Sequence, residues 1–232
     1  MIYIYDDSLA FQPEYIEKYM TALSVKRQEK IRKYRFQKDK ALSFIAEYLL
    51  RFGLMKEFAV ESIPEIIEME RGKPLLKDSD IFFNISHCDK GILCSISTQD
   101  TGCDIQDYSK DILEIKESIL SSKEKICVDE EGRSFEKKDG ADFIRKQIKE
   151  ITRIWTLKEA YGKYYGTGLA YEFKDEDFSF IDSNNGWQNY KELRVFSREF
   201  ENYAVSVFSK ETMPVCRVGK QQLMEFIHTL RC

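Results

Sequence analysis

Apolar residues along this chain change their spacing several times, and each change predicts a change of element. Residues 2–5, Ile2-Tyr3-Ile4-Tyr5, form a short apolar and aromatic run that predicts an opening or edge strand. From about residue 21 to 52, Ile31, Tyr34, Leu42, Ile45, Ala46, Leu49 and Leu50 recur at roughly helical spacing. That pattern predicts helix with a break near 36–39, stopped by Gly53. Residues 65–70 read as a strand ending at the turn Arg71-Gly72-Lys73-Pro74. The runs 81–86, 92–97 and 102–105 are β-rich and separated by polar turns, which predicts an antiparallel meander.

Residues 108–150 are highly charged and hold two helical patterns on either side of a polar loop at 129–140. The second helix, from about 141 to 165, carries Ile144, Ile148, Ile151, Trp155 and Tyr161 and ends at Gly166-Thr167-Gly168. Residues 178–181, 192–200 and 203–209 read as strands, the last two joined through Glu201-Asn202 as a tight hairpin. Residues 221–230 read as a short helix. No Ser/Gly linker or low-complexity segment divides the chain. Each half offers a helix-then-sheet assembly, so the expected class is α+β with antiparallel sheets, in halves 1–101 and 102–232.

Composition narrows the partners. The 232 residues are 43% hydrophobic, enough for a sizeable core, and the net charge of −4 does not indicate a general polyanion binder. Of six cysteines none falls in a CxxC pair, and only two histidines are present to complete a zinc site. Reduced thiols in a cytoplasmic protein are expected. The N-terminus lacks the basic start and apolar stretch of a signal peptide, and no window approaches a membrane span.

Four clusters could carry chemistry. Lys26, Arg27, Lys30, Arg32, Lys33, Arg35, Lys38 and Lys40 crowd a short span; Arg27 and Lys30, three apart, face one side of a helix, where two cations can share a phosphate. A solvated helix face and an RNA-binding helix are the other readings. Asn84-Ile85-Ser86-His87 gathers polar groups at a strand end. Asp104 and Gln106 lie two apart in a strand, so they project together and suit a hard cation such as Mg²⁺. Glu159 and Lys163 are a favourable helical ion pair, with Trp155 one turn earlier on the same stripe.

In order and separation, four stretches resemble the surfactin-synthetase-activating type of 4′-phosphopantetheinyl transferase. They are Gly72-Lys73-Pro74, Phe83-Asn84-Ile85-Ser86-His87, Gly102-Cys103-Asp104-Ile105 and Trp155-Thr156-Leu157-Lys158-Glu159-Ala160, continuing through Lys163 to Gly166-Thr167-Gly168-Leu169. The resemblance covers roughly residues 25–170. It implies two similar α+β halves about a pseudo-twofold, with coenzyme A in the cleft between them. Arg27 and Lys30 would meet its 3′-phosphate, helped by Ser43 and His87. Lys73, Pro74 and Ser86 would line the nucleotide site, and Lys158 would sit beside the phosphates. Asp104 and Glu159 would hold Mg²⁺. Many members have a second acid where this chain has Gln106, which would bind the metal more loosely. Glu124, within Ser121-Ser122-Lys123-Glu124, resembles the further acid of the site and the base for the serine proton, with Glu159 second; Lys163 would stabilise charge on the transferring group. The implied reaction moves the phosphopantetheine arm of coenzyme A to a serine of an apo acyl-, peptidyl- or aryl-carrier protein, in a monomer needing neither nucleic acid nor membrane. A non-catalytic binder of coenzyme A or of a carrier, with Gln106 marking a lost metal site, is the main rival, and an RNA binder the lesser one.

Overall fold

The computed structural model describes residues 1–7, 9–69, 72–133, 140–167 and 174–230. Arg71, Gly168, Leu169 and part of the expected 129–140 loop lie outside the described residues. Two four-stranded sheets organise the chain. The first has the order β10-β1-β5-β4, built from β1 (Ile2–Tyr5), β4 (Phe82–Cys88), β5 (Gly91–Ser97) and β10 (Val215–Arg217). The second has the order β6-β9-β8-β7, built from β6 (Thr101–Asp107), β7 (Trp187–Tyr190), β8 (Leu193–Glu199) and β9 (Tyr203–Ser209). A two-stranded ribbon, β2 (Ile66–Glu68) with β3 (Pro74–Leu76), stands beside them. Mixed α+β architecture with antiparallel sheets is as expected.

Strand periodicity explains how the layers stack. Tyr3 and Tyr5 point from β1 into the core with α3 (Gln37–Phe58), whereas Ile2 and Ile4 point the other way, onto Cys103, Ile105, Val205 and Val207 of the second sheet. On the far face of that sheet, Val195 and Phe208 pack with Leu157, Ala160 and Tyr161 of α6 (Gly140–Tyr165). The order is therefore helix, sheet, sheet, helix. Because strands in the middle are covered on both faces, β5 and β9 are buried at every position.

Several expectations are corrected. β1 opens the chain but is no edge, since β10 pairs with it in parallel and β5 antiparallel. Gly53 does not stop α3. It lies inside the helix because a Cβ there would come within 2.3 Å of Ile96 Cδ1 and 2.8 Å of Tyr3 Cε2, so it buys close approach to the sheet. The break falls at Tyr34–Phe36, between α2 (Val25–Lys33) and α3. The meander holds for β4–β5 only: β6 leaves to pair with β9. The first charged pattern is two helices, α4 (Ile112–Ile119) and α5 (Ser122–Arg133). Residues 178–181 are a turn whose Phe178 is buried for packing, not a strand. Helix α1 (Pro13–Met20) and strands β7 and β10 carried too short a pattern to predict. Helix α7 (Lys220–Thr229) follows the predicted span, and its Leu223 and Ile227 enter the core around α3.

Candidate functional site

Two edge strands and one long helix meet where the candidate chemistry lies. β4 and β6 run beside each other, and the Asn84 side chain accepts a hydrogen bond from the Cys103 N–H at 3.0 Å. β6 also crosses α6 at Gly102, where a Cβ would lie 2.3 Å from both Ala160 O and Tyr164 N. Only glycine permits that approach. Asp104, two residues on and on the same face of β6, is thereby delivered against Lys163.

Asp104 Oδ1 accepts from Lys163 Nζ at 2.6 Å and from Ser86 Oγ at 2.6 Å, and Lys163 also reaches Ser86 Oγ at 3.1 Å. Asp104 Oδ2 is buried and has no hydrogen-bond partner. Burial against water works to lower the Lys163 pKa, but the Asp104 charge outweighs it and the pKa stands above the usual lysine value. Glu159, one helical turn before Lys163, has its carboxyl pKa raised, first by burial and next by the Asp104 charge. Asp104 and Glu159, 55 positions apart in sequence, therefore feel one another directly. An orphaned buried carboxylate oxygen beside a second, charge-strained carboxylate is a donor set for a hard divalent cation. Among the described residues no three His, Cys, Asp or Glu side chains gather as a ready metal cage. Gln106 donates its amide to Asp107 Oδ1 at 3.2 Å, which turns that side chain toward its neighbour.

Beside this cluster opens a pocket of about 370 Å³. Arg27, Lys30, Ser43, Lys73, Pro74, His87 and Lys163 all contribute to its wall, along with Tyr34, Phe83 and Asn84. Arg27 and Lys30 present one face of α2, whose N-cap Ser24 accepts from the Arg27 N–H at 3.3 Å, and Glu47 holds the Arg27 guanidinium at 2.9 Å. Ser43 Oγ is buried and unpartnered on this wall. His87 has its pKa lowered, by burial first and then by the positive charges of Lys163 and Lys30. Lys73 lines the pocket with its stem, but its ammonium is bound to Asp100 and to Tyr164 O at 2.6 Å. It ties the ribbon to the end of α6.

Three predicted residues sit elsewhere. Ser86 serves Asp104 and is not among the pocket's lining residues. Glu124 and Lys158 form a closed pair at 2.8 Å with no exposure of either side chain. Glu124 also accepts from the N–H groups of Ser121 at 2.7 Å and Phe178 at 2.9 Å, while Lys158 donates to Glu176 O at 2.8 Å. With these partners supplied by protein, the pair joins α5 to α6. Glu124, expected as base, and Lys158, expected beside the phosphates, are thus paired with each other. The sequence carried no warning, because Ser121 and Phe178 lie far apart along the chain.

Sequence relatives fit this grouping. The profile of the 4′-phosphopantetheinyl transferase superfamily matches residues 100–213, the stretch that supplies Asp104, Glu159 and Lys163. The chain is 28% identical over 160 residues to the 4′-phosphopantetheinyl transferase Sfp of Bacillus subtilis (strain 168), covering 66% of this chain and 65% of that relative's length. It is 28% identical over 213 residues to the 4′-phosphopantetheinyl transferase gsp of Aneurinibacillus migulanus, covering 87% and 84% respectively. To a phosphopantetheinyl transferase of Thraustochytrium sp. it is 27% identical over 173 residues, 71% of this chain and 59% of the relative. The stretch drawn together by β6 and α6 is thus similar to the 4′-phosphopantetheinyl transferase superfamily. The likeness extends over more of the chain to the relatives Sfp and gsp.

Proposed function

We propose that this protein transfers the 4′-phosphopantetheine group of coenzyme A to a serine of an apo carrier protein, giving the holo carrier and adenosine 3′,5′-bisphosphate. The observation that carries the reading is the convergence of Asp104, Glu159 and Lys163 at the edge of a pocket walled by Arg27, Lys30 and His87. A pure binding protein has no use for a second carboxylate held near Asp104 at a cost to the ionisation of Glu159.

In this reading Arg27 and Lys30 receive the 3′-phosphate as paired cations, and Ser43 Oγ and His87 supply further polar contacts. The serine oxygen forms a bond to the phosphorus bearing the arm, and the bond from that phosphorus to the bridging oxygen of the pyrophosphate breaks. Lys163, already at the pocket edge, holds positive charge where the leaving oxygen becomes negative. Asp104 is oriented for this work by Ser86. A divalent cation between Asp104 and Glu159, which we assign as Mg²⁺ on its oxygen donors, would supply neutralisation of the pyrophosphate. Glu159, with its raised proton affinity, is the remaining candidate to take the serine proton once Glu124 is walled off. A pseudo-twofold between halves 1–101 and 102–232 is supported by one long helix, α3 or α6, on each sheet. We assign a cytoplasmic monomer; among the described residues no helix is long and apolar enough to cross a membrane.

The test is to incubate the protein with coenzyme A, Mg²⁺ and a panel of apo carriers and weigh the carriers by mass spectrometry. A gain of one phosphopantetheine on a carrier is expected, lost in Asp104→Ala with the fold retained. Wild-type transfer by Asp104→Ala would sink the metal assignment.

A further inference from the structure

Behind the pocket wall lies a buried acid that the proposed reaction does not use. Glu47 is 3% exposed on α3, one turn after Ser43, and is not among the residues that line the cavity. Its Oε2 stands 2.9 Å from Arg27 Nε, and its Oε1 stands 3.7 Å from Arg51 Nε. Of the two arginines, only Arg27 lines the pocket. Ile31, one turn after Arg27, is buried in the core around α3, so α2 lies with this side against α3 and brings Arg27 to Glu47. Among the described residues Glu47 is the one ion-pair partner of Arg27, and Lys30 on the same face has none.

Helix placement does not require this acid. Tyr48 donates its hydroxyl to Tyr19 O at 2.7 Å and Arg51 donates to Ala22 O at 3.2 Å, so two neighbours on α3 already hold the α1–α2 turn. What Glu47 adds is a grip on one side chain. The contact is one of charge, because Glu47 Oε2 is buried without an aligned hydrogen-bond donor. A purely architectural pair would close that bond, since an unsatisfied buried oxygen costs stability. Arg27, Lys30 and Lys163 share one wall and repel one another, and a counter-charge behind Arg27 keeps it in place. An arginine loses much rotamer freedom when it binds an anion, and restraining it beforehand lessens that loss. Contact at Nε takes the stem end of the guanidinium fork and leaves the terminal nitrogens for a phosphate.

We infer that Glu47 is a positioning residue, which holds the Arg27 guanidinium ready for the 3′-phosphate and so sets the preference for ligands that carry it. The inference rests on the transferase reading above, and its test separates the two. Calorimetry compares coenzyme A with dephospho-coenzyme A, which lacks the 3′-phosphate, on the whole chain. The parent is expected to favour coenzyme A by about tenfold or more. Glu47→Gln keeps the shape and removes the charge; it should weaken coenzyme A about fivefold and leave dephospho-coenzyme A as it was. Because Glu47 acts through Arg27, adding Glu47→Gln to Arg27→Gln should cost nothing further. Arg51→Gln removes the other partner of Glu47 and lines no part of the cavity, so it should lower the melting temperature without altering the preference. Should Glu47→Gln fail to fold, Glu47→Asp draws the charge back by one methylene, and a smaller loss in the same direction is expected. A Glu47 variant that keeps the full preference, or binds coenzyme A more tightly, overturns the inference and leaves the transferase reading standing. A further loss in the double variant, or an equal loss in Arg51→Gln, overturns it as well. A parent that binds both ligands equally removes the 3′-phosphate from Arg27 and Glu47 alike. One that binds neither overturns the transferase reading, and the role of Glu47 with it.

Discussion

Helix α6 carries two lysines five positions apart, each bound to a buried carboxylate, and the two pairs have opposite characters. Lys158 and Glu124 are sealed, and three protein groups besides the lysine and the carboxylate share their hydrogen bonds. Lys163 and Asp104 look similar by distance, 2.6 Å against 2.8 Å, yet Asp104 keeps one buried oxygen unpartnered and Lys163 borders the pocket. Ion-pair length says nothing about role. What separates architecture from chemistry is whether the pair's remaining valence is spent on protein or left for a ligand.

The sharpest way to break that contrast is Lys158→Met. Removing one partner leaves Glu124 buried beside no counter-charge, and roughly 3–5 kcal/mol of folding stability should go. Urea titration would read the loss, and transfer per folded molecule should survive. A variant as stable as the parent but inactive would make Lys158 a functional residue after all. Next in size, Gly102→Ala forces β6 away from α6 and should cost about 1–3 kcal/mol. Because Asp104 moves with the strand, activity should fall further than stability, which melts and initial rates together would reveal.

Glu159→Gln probes the open pair with a smaller effect and a definite sign. Burial and Asp104 raise the Glu159 pKa in the folded state, so folding favours its protonated form. That contribution is fully present below about pH 4 and is lost as pH rises through the folded-state value. At pH 7 the ionised side chain therefore works against folding, and the Gln variant should melt higher than the parent. The gap should close on acidification, and Mg²⁺ should raise the melting temperature of the parent alone. A variant that melts lower at pH 7 would mean that Glu159 is as well satisfied as Glu124. Smallest is Ser43→Ala: with its hydroxyl unpartnered, the ligand-free protein should change by less than about 0.5 kcal/mol, while coenzyme A binding measured by calorimetry weakens severalfold.

How much of this was legible beforehand divides along the same line. Local patterns revealed β4, β5, β6, α6 and the 201–202 hairpin, because period and turn residues are written within a few positions. The nearness of Asp104, Glu159 and Lys163 was suggested by motif spacing and by the shared helix face of Glu159 and Lys163. Gly53 misled because its reason is tertiary: it faces Ile96 and Tyr3 and ends no helix. The partners of Glu124 were illegible likewise, since they come from α6 and from the turn at Phe178. Sequence spacing identifies which groups could meet, and only packing shows which of them have already satisfied one another.

Strand β10 and helix α7 come from the far end of the chain, yet β10 hydrogen-bonds along β1 and α7 closes the core over α3. A ribosome therefore releases Arg27, Ser43 and His87 long before their supporting layer exists. Nascent chains paused ahead of Val215 would expose one side of β1 and the flank of α3 to proteases and chaperones. Vectorial maturation, first half before second, is closed to such a topology, and the wall bearing Arg27, Ser43 and His87 becomes complete only once translation has passed α7.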